Sequence, residues 1–350
     1  MFRVQRIFNK LRYPLISIFN LILLLIDIYK MRFLHKQNKN AYKRLLRVFY
    51  FFGGTFNPII SKILGKPKFD FEKVGLLSKL SNQELEKAES HLKKEGFVVF
   101  ENILTPELCE EFIKMSLKIP GITRVMDGEK GERKSMYFDR NNPQSVRFDY
   151  SASDLVSNEI VQKLISDESI FDFAQRYLGA APILDLVAMW WHTTFSDLAD
   201  KQAAQWFHFD MERVKWIKFF FYITDVDENS GPHTFVPKTH SKFGIPSKLR
   251  RRGYVRLADS EVEEYFPVKE WKEFVGKRGT LIVEDTRGLH KGKHCKSGDR
   301  LLFQLEFTTS KFGAMLEEVN FKRSTMTPEL KSIKNKYESI YSMINFLDKE

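Results

Sequence analysis

From Pro182 to Thr309 the chain is a succession of short β-type runs broken by turn residues: "ILDLVAMWWHTTF", "AAQWFHFD", "WIKFFFYITDV", "HTFVP", "GTLIVED", "GLHKG" and "RLLFQLEFTT". Strands this short and this closely spaced predict an antiparallel sandwich or barrel instead of βαβ units. Helices flank the stretch. Ser81 with Glu84 three residues on is a capping-box pattern leading into "LEKAESHLKKE". "GFVVFENIL", Gly96 to Leu104, is a short β-rich run, and Thr105-Pro106 after it opens a second helix. Residues 154–178 are helix-rich. Residues 118–152 are polar and read as a long loop that shapes substrate access. Residues 313–350 read as a helical tail with Leu330, Ile333, Tyr337, Ile340, Ile344 and Leu347 as its packing stripe. The expected class is mainly β with flanking helices, an α+β chain.

At 350 residues and 43% apolar, with 32 Phe, the chain holds enough apolar surface for a large packed core, which excludes wholesale disorder. Two cysteines, Cys109 and Cys295, exclude a disulfide framework and fit a reducing compartment. The net charge of +11 is local: residues 1–50 hold eleven Lys and Arg against Asp27, so the rest is close to neutral. That basic arm wraps an apolar run, Tyr13 to Tyr29, which points away from nucleic acid. The run is shorter than the roughly 20 residues that span a bilayer. Ser17, Asn20 and Asp27 form a polar stripe along it. Arg3, Arg6, Lys10 and Arg12 precede it, and seven further cations from Lys30 to Arg47 follow. No small-x-small cleavage site follows Ile28, which argues against a signal peptide. Two readings stay open: a membrane anchor, lying on or spanning the bilayer, and a helix packed on the domain or a partner. In the spanning case the heavier basic flank keeps the main domain cytoplasmic. The expected division is a helical arm over 1–50, a linker over 51–80, a catalytic domain over 81–312 and the tail over 313–350.

His208 and Asp210 are two apart in a β-type run, so both side chains leave one face. An imidazole and a carboxylate supply two ligands for a divalent metal, and His290, just after "GTLIVED", offers a third. Two histidines and one carboxylate make the facial set of non-haem Fe(II) oxygenases. Arg300, ten residues on, carries a fork suited to a carboxylate cosubstrate. Gln205, Trp206, Gln304 and His192 are candidates to face the same cavity. His240 reads as structural, His233 and His294 as loop residues, and His35 and His91 as solvent-facing. "KLRRRGY", Lys248 to Tyr254, reads as a solvated face, with a phosphate, CoA or anionic headgroup as its alternative partner.

These blocks resemble the phytanoyl-CoA dioxygenase family of Fe(II)/2-oxoglutarate-dependent oxygenases. The likeness is carried by His208-Phe209-Asp210, by "IKFFFYITDVDENSGPHTFVPKTHS" with its Gly231-Pro232, by "GTLIVEDTRGLHKG" with Arg300 beyond, and by "KKEGFVVFENILTPELCEEF", over roughly residues 82–310. The resemblance implies a double-stranded β-helix, a cupin-like jelly-roll. It implies His208, Asp210 and His290 as iron ligands and Arg300 as the grip on 2-oxoglutarate. It implies Fe(II), 2-oxoglutarate and O2 as cofactor and cosubstrates, with succinate and CO2 released as an aliphatic C–H is hydroxylated. Halogenases of this kind replace the carboxylate ligand with a small residue, so Asp210 favours hydroxylation. The expected substrate is a small molecule or a lipid- or carrier-linked group. A non-catalytic cupin-like binding protein and a metal-dependent isomerase on the same fold are the rival expectations.

Overall fold

The computed structural model describes residues 2–126, 128, 132–315 and 319–347, and for residues 2–14 the backbone alone. The chain opens with α1 (Phe2–Leu34), α2 (Ala41–Phe52) and α3 (Asn57–Leu64). Then come α4 (Asn82–Glu95), β1 (Phe97–Phe100) and α5 (Pro106–Lys118). Both caps read from the sequence are formed. Ser81 and Glu84 exchange hydrogen bonds at the start of α4, and the Thr105 hydroxyl accepts from Leu108 N with Pro106 in the first turn of α5. Gly96 ends α4 at φ 95°, a conformation that suits a residue without Cβ.

The described part of residues 118–152 is not all loop. It carries β2 (Gly121–Thr123), β3 (Ser135–Met136) and β4 (Arg147–Asp149), which extend the main sheet. After α6 (Ala152–Val156), α7 (Glu159–Ile165) and α8 (Glu168–Leu178) come the long strand β5 (Ile183–His192), then β6 (Trp216–Tyr222) and β7 (His233–Phe235). Two short helices follow, α9 (Ser247–Arg250) and α10 (Asp259–Glu263). The remaining strands of the two large sheets are β8 (Lys272–Phe274), β9 (Leu281–Glu284), β10 (His290–Gly292) and β11 (Arg300–Thr308).

The strands form an eight-stranded antiparallel sheet, β1-β9-β6-β11-β5-β4-β2-β3, and a three-stranded antiparallel sheet, β10-β7-β8. Strand alternation sorts the residues of the large sheet into two populations. Val187, Met189, Trp191, Phe219, Phe221, Phe303, Leu305 and Phe307 face outward into the main core under the helices. Phe112 of α5 meets Phe303, and Phe171 and Phe173 of α8 meet Phe307 and Phe219. The opposite parity faces the small sheet. There Trp190, Phe220, Tyr222, Ile282 and Leu302 pack with Phe235 and Phe274, and polar side chains share the same face. The result is a mixed α/β architecture built on a large antiparallel sheet.

Two expected segment boundaries change. Residues 51–80, expected as a linker, carry α3, and their side chains are part of the packed body. Asn57 Nδ2 donates to Val214 O at 2.7 Å, and Phe71 and Leu77 belong to the main core. Among its described residues the tail is helical only over α11 (Pro328–Lys336) and two short 3-10 turns, Arg323–Thr325 and Glu338–Tyr341. It also carries β12 (Val319–Lys322) and β13 (Ile344–Leu347), which pair in parallel. Leu330, Tyr337, Ile340 and Ile344 are buried as the stripe requires, but they pack from several elements, and Leu347 is exposed.

α1 lies on α2 and α3. Leu24 and Ile28 pack with Leu45, Val48, Ile60, Val214 and Phe312. Among the described residues no helix is long and apolar enough to cross a membrane.

Candidate metal centre

Two backbone devices bring the three candidate ligands together. Residues Phe207 and His208 make isolated antiparallel bridges to Leu257 and His290, so the His208 segment lies beside β10 as an added edge. His208 N donates to His290 O and His290 N to His208 O, both at 2.9 Å, and Asp210 N donates to Thr286 O at 2.8 Å. His208, Asp210 and His290 then offer ligand atoms that all lie within 4.8 Å of one another, and all three side chains are buried.

The imidazoles are oriented by their rear nitrogens. His208 Nδ1 lies 2.9 Å from Trp206 O, and His290 Nδ1 lies 3.0 Å from Gly288 O. A carbonyl only accepts, so both Nδ1 atoms carry the proton and both Nε2 lone pairs face the cluster. Burial holds His208 well below the usual imidazole range, with the neighbouring His290 and Arg256 adding, and burial likewise lowers His290. Neutral imidazoles are the form a metal takes.

Asp210 is charged. Burial is the largest influence and opposes that charge, but the Lys218 ammonium together with His290 and His208 overcomes it and holds the carboxyl below the ordinary range. Lys218 Nζ donates to Asp210 Oδ2 at 2.7 Å and reaches Glu306 Oε2 at 3.4 Å. That leaves Oδ1 facing His208 Nε2 across 3.9 Å.

A cavity of about 370 Å³ opens over the cluster, lined among others by Trp190, His192, Lys218, Phe220, Arg300 and Gln304. Arg300 and His192 are register partners on β11 and β5. Arg300 Nη2 lies 2.5 Å from His192 Nδ1, and Nη1 donates to Gly231 O. His192 Nε2 donates to Ala203 O at 3.1 Å, so its Nδ1 is the acceptor for the guanidinium. Among the described residues no carboxylate pairs with Arg300, and its Nε and the Gln304 Nε2 are buried without a hydrogen-bond partner. Orphaned donors in a cavity beside a ligand cluster fit a missing oxyanion.

The structure therefore gathers His208, Asp210, His290, Arg300, His192 and Gln304 in one cavity. It does not bring Gln205, whose Oε1 accepts from Asp200 N at 2.7 Å and closes a loop, nor Trp206, whose Nε1 donates to Ala199 O at 3.3 Å. Gln205 was a candidate to face the cavity, but the turn over residues 200–205 holds its side chain on its own backbone, whereas Gln304 lines the cavity on the parity of Arg300. His240 is structural, with Nε2 on Lys93 O at 3.1 Å.

His233, expected in a loop, sits on β7 and lines the cavity, with Nε2 2.9 Å from Glu284 Oε2. Burial pushes Glu284 up to about 8 and His233 down to about 3, so at neutral pH the Glu284 carboxyl is the donor. Lys218, Glu284 and Glu306 were missed. Each is a charge on the inward parity of an otherwise apolar strand, in "WIKFFFY", "LIVE" and "RLLFQLEFT". That anomaly was visible in the sequence.

Two antiparallel sheets closing on a two-histidine, one-carboxylate cluster are consistent with the cupin-like jelly-roll class. The chain belongs to the phytanoyl-CoA dioxygenase (PhyH) family, whose profile matches residues 92–301 and so spans the sheets and the cluster. No curated protein matches the chain. Among solved structures it is similar to the non-heme alpha-ketoglutarate-dependent epimerase SnoN from nogalamycin biosynthesis, at 14% identity over 65% of this chain and 84% of that one, TM-score 0.48. It is similar to EctD from S. alaskensis, at 15% identity over 72% and 89%, TM-score 0.47. It is also similar to HygX from Streptomyces hygroscopicus, solved with nickel and 2-oxoglutarate bound, at 15% identity over 72% and 94%, TM-score 0.44. Likeness at that level carries no functional argument.

Proposed function

We propose that the chain is an Fe(II)- and 2-oxoglutarate-dependent oxygenase that hydroxylates a C–H bond of a small-molecule or lipid- or carrier-linked substrate. The observation that carries this reading is the pairing, in one cavity, of the His208-Asp210-His290 cluster with a buried guanidinium that lacks a carboxylate partner among the described residues. The donor set suits the metal: two neutral Nε2 atoms and one charged carboxylate. His208, His290 and Asp210 hold the iron. Iron bound there supplies O2 activation coupled to oxidative decarboxylation of 2-oxoglutarate to succinate and CO2. Lys218 keeps Asp210 ionised and oriented. Arg300, fixed from behind by His192 and Gly231, takes the far carboxylate of 2-oxoglutarate as a fork. Trp190, Phe220 and Leu186 wall the cavity with apolar surface and exclude water.

Anaerobic titration of the full chain with Fe(II) and then 2-oxoglutarate tests the reading through the visible charge-transfer band. The band is expected in the wild type, absent in His208→Ala and weakened in Arg300→Gln. An iron-loaded, folded chain with no band leaves a metal-dependent isomerase or a binding protein instead.

We infer further that the protein works on a membrane surface. α1 is inside-out for a helix in water. Asn20 and Asp27 are 4% and 1% exposed, whereas Phe19, Tyr29 and Phe33 are 60%, 59% and 62% exposed. Arg44 of α2 pairs with Asp27 at 2.5 Å, so the polar stripe is consumed by the protein. Leu15, Ile18, Ile22, Leu25 and Ile26 complete the outward face, and Ile59 and Ile63 of α3 extend the exposed apolar surface. Exposed Lys30, Arg32, Lys36, Lys39 and Lys43 suit anionic headgroups. Co-sedimentation with phosphatidylcholine vesicles, with and without phosphatidylserine, should capture the wild type on the anionic vesicles and leave Phe19→Glu/Ile22→Glu in solution. A wild type that ignores both vesicle types and dimerises through this face would sink the idea.

A further inference from the structure

Arg300 accounts for one anion, and the cavity carries more positive charge than one anion explains. Arg124, Arg147, Lys218, Arg256 and Arg300 line it, and Asp210 is the acid among the lining residues. Lys218 is committed to Asp210 and Glu306. Arg124 and Arg147 share the single carboxylate of Asp149, each at 2.6 Å, and Arg147 also lies over the Trp190 ring at 4.3 Å. That trio keeps a net positive charge. A dication with a dianion bound to it adds no net charge, so loading the centre as proposed above leaves the excess in place.

Arg256 is the cation without an assignment. It leads into Leu257, the bridge partner of Phe207, and so stands beside the strand edge that carries His208. Its guanidinium rests over the Tyr254 ring at 5.2 Å. Its Nη1 is buried with no hydrogen-bond partner, and among the described residues no carboxylate pairs with it. A buried donor left without an acceptor is costly, and more so on a charged group. Arg256 thus stands on the segment paired with the His208 edge, whereas Arg300 and Arg147 stand opposite His192 in the register of β11 and β4 against β5. The cations therefore form two separate poles of the cavity. Tyr254 lines the cavity at the Arg256 pole, its ring also standing edge-on to His208 at 6.3 Å.

We propose that Arg256, with Tyr254 against it, is a subsite for an oxyanion carried by the substrate, a carboxylate or a phosphate, separate from the anion that faces Arg300. The inference rests on the oxygenase reading for the identity of that second anion. A guanidinium fork takes either group in two parallel hydrogen bonds, so it fixes orientation as well as position. A substrate held by its charged end at Arg256 presents its body across His208 toward the cluster, against the apolar wall of Trp190 and Phe220. The basic segment Lys248–Tyr254, taken in the sequence as a solvated face, thus ends at the mouth of the site.

The test uses the full chain loaded with Mn(II) and saturated with 2-oxoglutarate. Inorganic phosphate and acetate are titrated separately, and the paramagnetic relaxation of phosphorus and of the methyl protons is read. A saturable enhancement is expected for at least one anion, and the stronger of the two assigns phosphate or carboxylate. Its Kd should weaken on the order of tenfold or more in Arg256→Gln, the loss of one charge-assisted contact, while 2-oxoglutarate affinity is unchanged. No saturable enhancement for either anion, or the same Kd in Arg256→Gln, overturns the subsite. Loss of the anion in Arg300→Gln and not in Arg256→Gln overturns it too, since the anion then shares the cosubstrate's pole. Failure of the oxygenase reading is separately visible. 2-Oxoglutarate itself would then show no metal-induced relaxation, and the Arg256 comparison is still readable without it.

Discussion

Asp210 sits between an ammonium and two imidazoles, and its neighbours decide what each can do. Removing Lys218 leaves the buried Asp210 carboxylate without its cation, beside Glu306, whose carboxyl burial pushes well above the ordinary range. Lys218→Met is expected to destabilise the metal-free protein by about 3–5 kcal/mol. Zn(II) should restore part of the loss by taking over the charge beside Asp210. Urea denaturation with and without Zn(II) measures both, and a variant as stable as the wild type without metal would refute the account. Glu284 gives a pH dependence. Its folded pKa of about 8 stands above the ordinary 4.5, because burial penalises the anion. Its contribution to stability is fully present below about pH 4.5 and is lost as pH rises to about 8. Glu284→Gln does not titrate, so the metal-free variant should gain on the wild type between pH 5 and 8 in thermal melts. Parallel curves would show that Glu284 is ionised in the fold.

At the scale of elements, the turn before β7 links a sequence motif to the cosubstrate pole. Gly231 has φ 74°, and its carbonyl takes Arg300. A Cβ there would meet Lys293 O at 2.6 Å and Cys295 Sγ at 2.7 Å. Gly231→Ala should therefore shift the turn and loosen Arg300. Calorimetry should show weaker 2-oxoglutarate binding with metal affinity retained; equal loss of both would mean the whole sheet edge had moved. Gly231-Pro232 was legible as a turn because its residue types restrict the backbone locally. The strands β2, β3 and β4 were not legible. Two to three residues each, in a polar stretch, they have no alternation to detect; β4 pairs with β5, and β2 and β3 add on in turn beyond it.

For the whole molecule, the N-terminal helices matter as packing. α2 places Phe49 against Phe209, one residue from both His208 and Asp210, at a ring distance of 5.9 Å. A chain starting at Ser81 loses Phe71 and Leu77 from the main core and all of α2 and α3. It is expected to lose near-ultraviolet circular dichroism and to bind a hydrophobic dye. A chain starting at Asn38 keeps α2 and α3, and should stay folded, melt lower and no longer sediment with anionic vesicles. A native, monomeric chain from Ser81 would show that the first 80 residues are dispensable to the fold.

The sequence by itself determined the strand-rich stretch, the caps at Ser81 and Thr105, and the set His208, Asp210, His290 and Arg300. Each is a local pattern, a parity, a cap or a spacing, that survives without knowing what lies opposite. Tertiary structure alone decided that Lys218 bonds Asp210, that Glu284 meets His233, that Gln205 turns away, that Arg256 stands near His208 with no carboxylate partner among the described residues, and that α1 shows its apolar side to solvent. Those facts depend on which strands become neighbours across tens to hundreds of residues. Burial sets the cost of each charge only once those neighbours are in place.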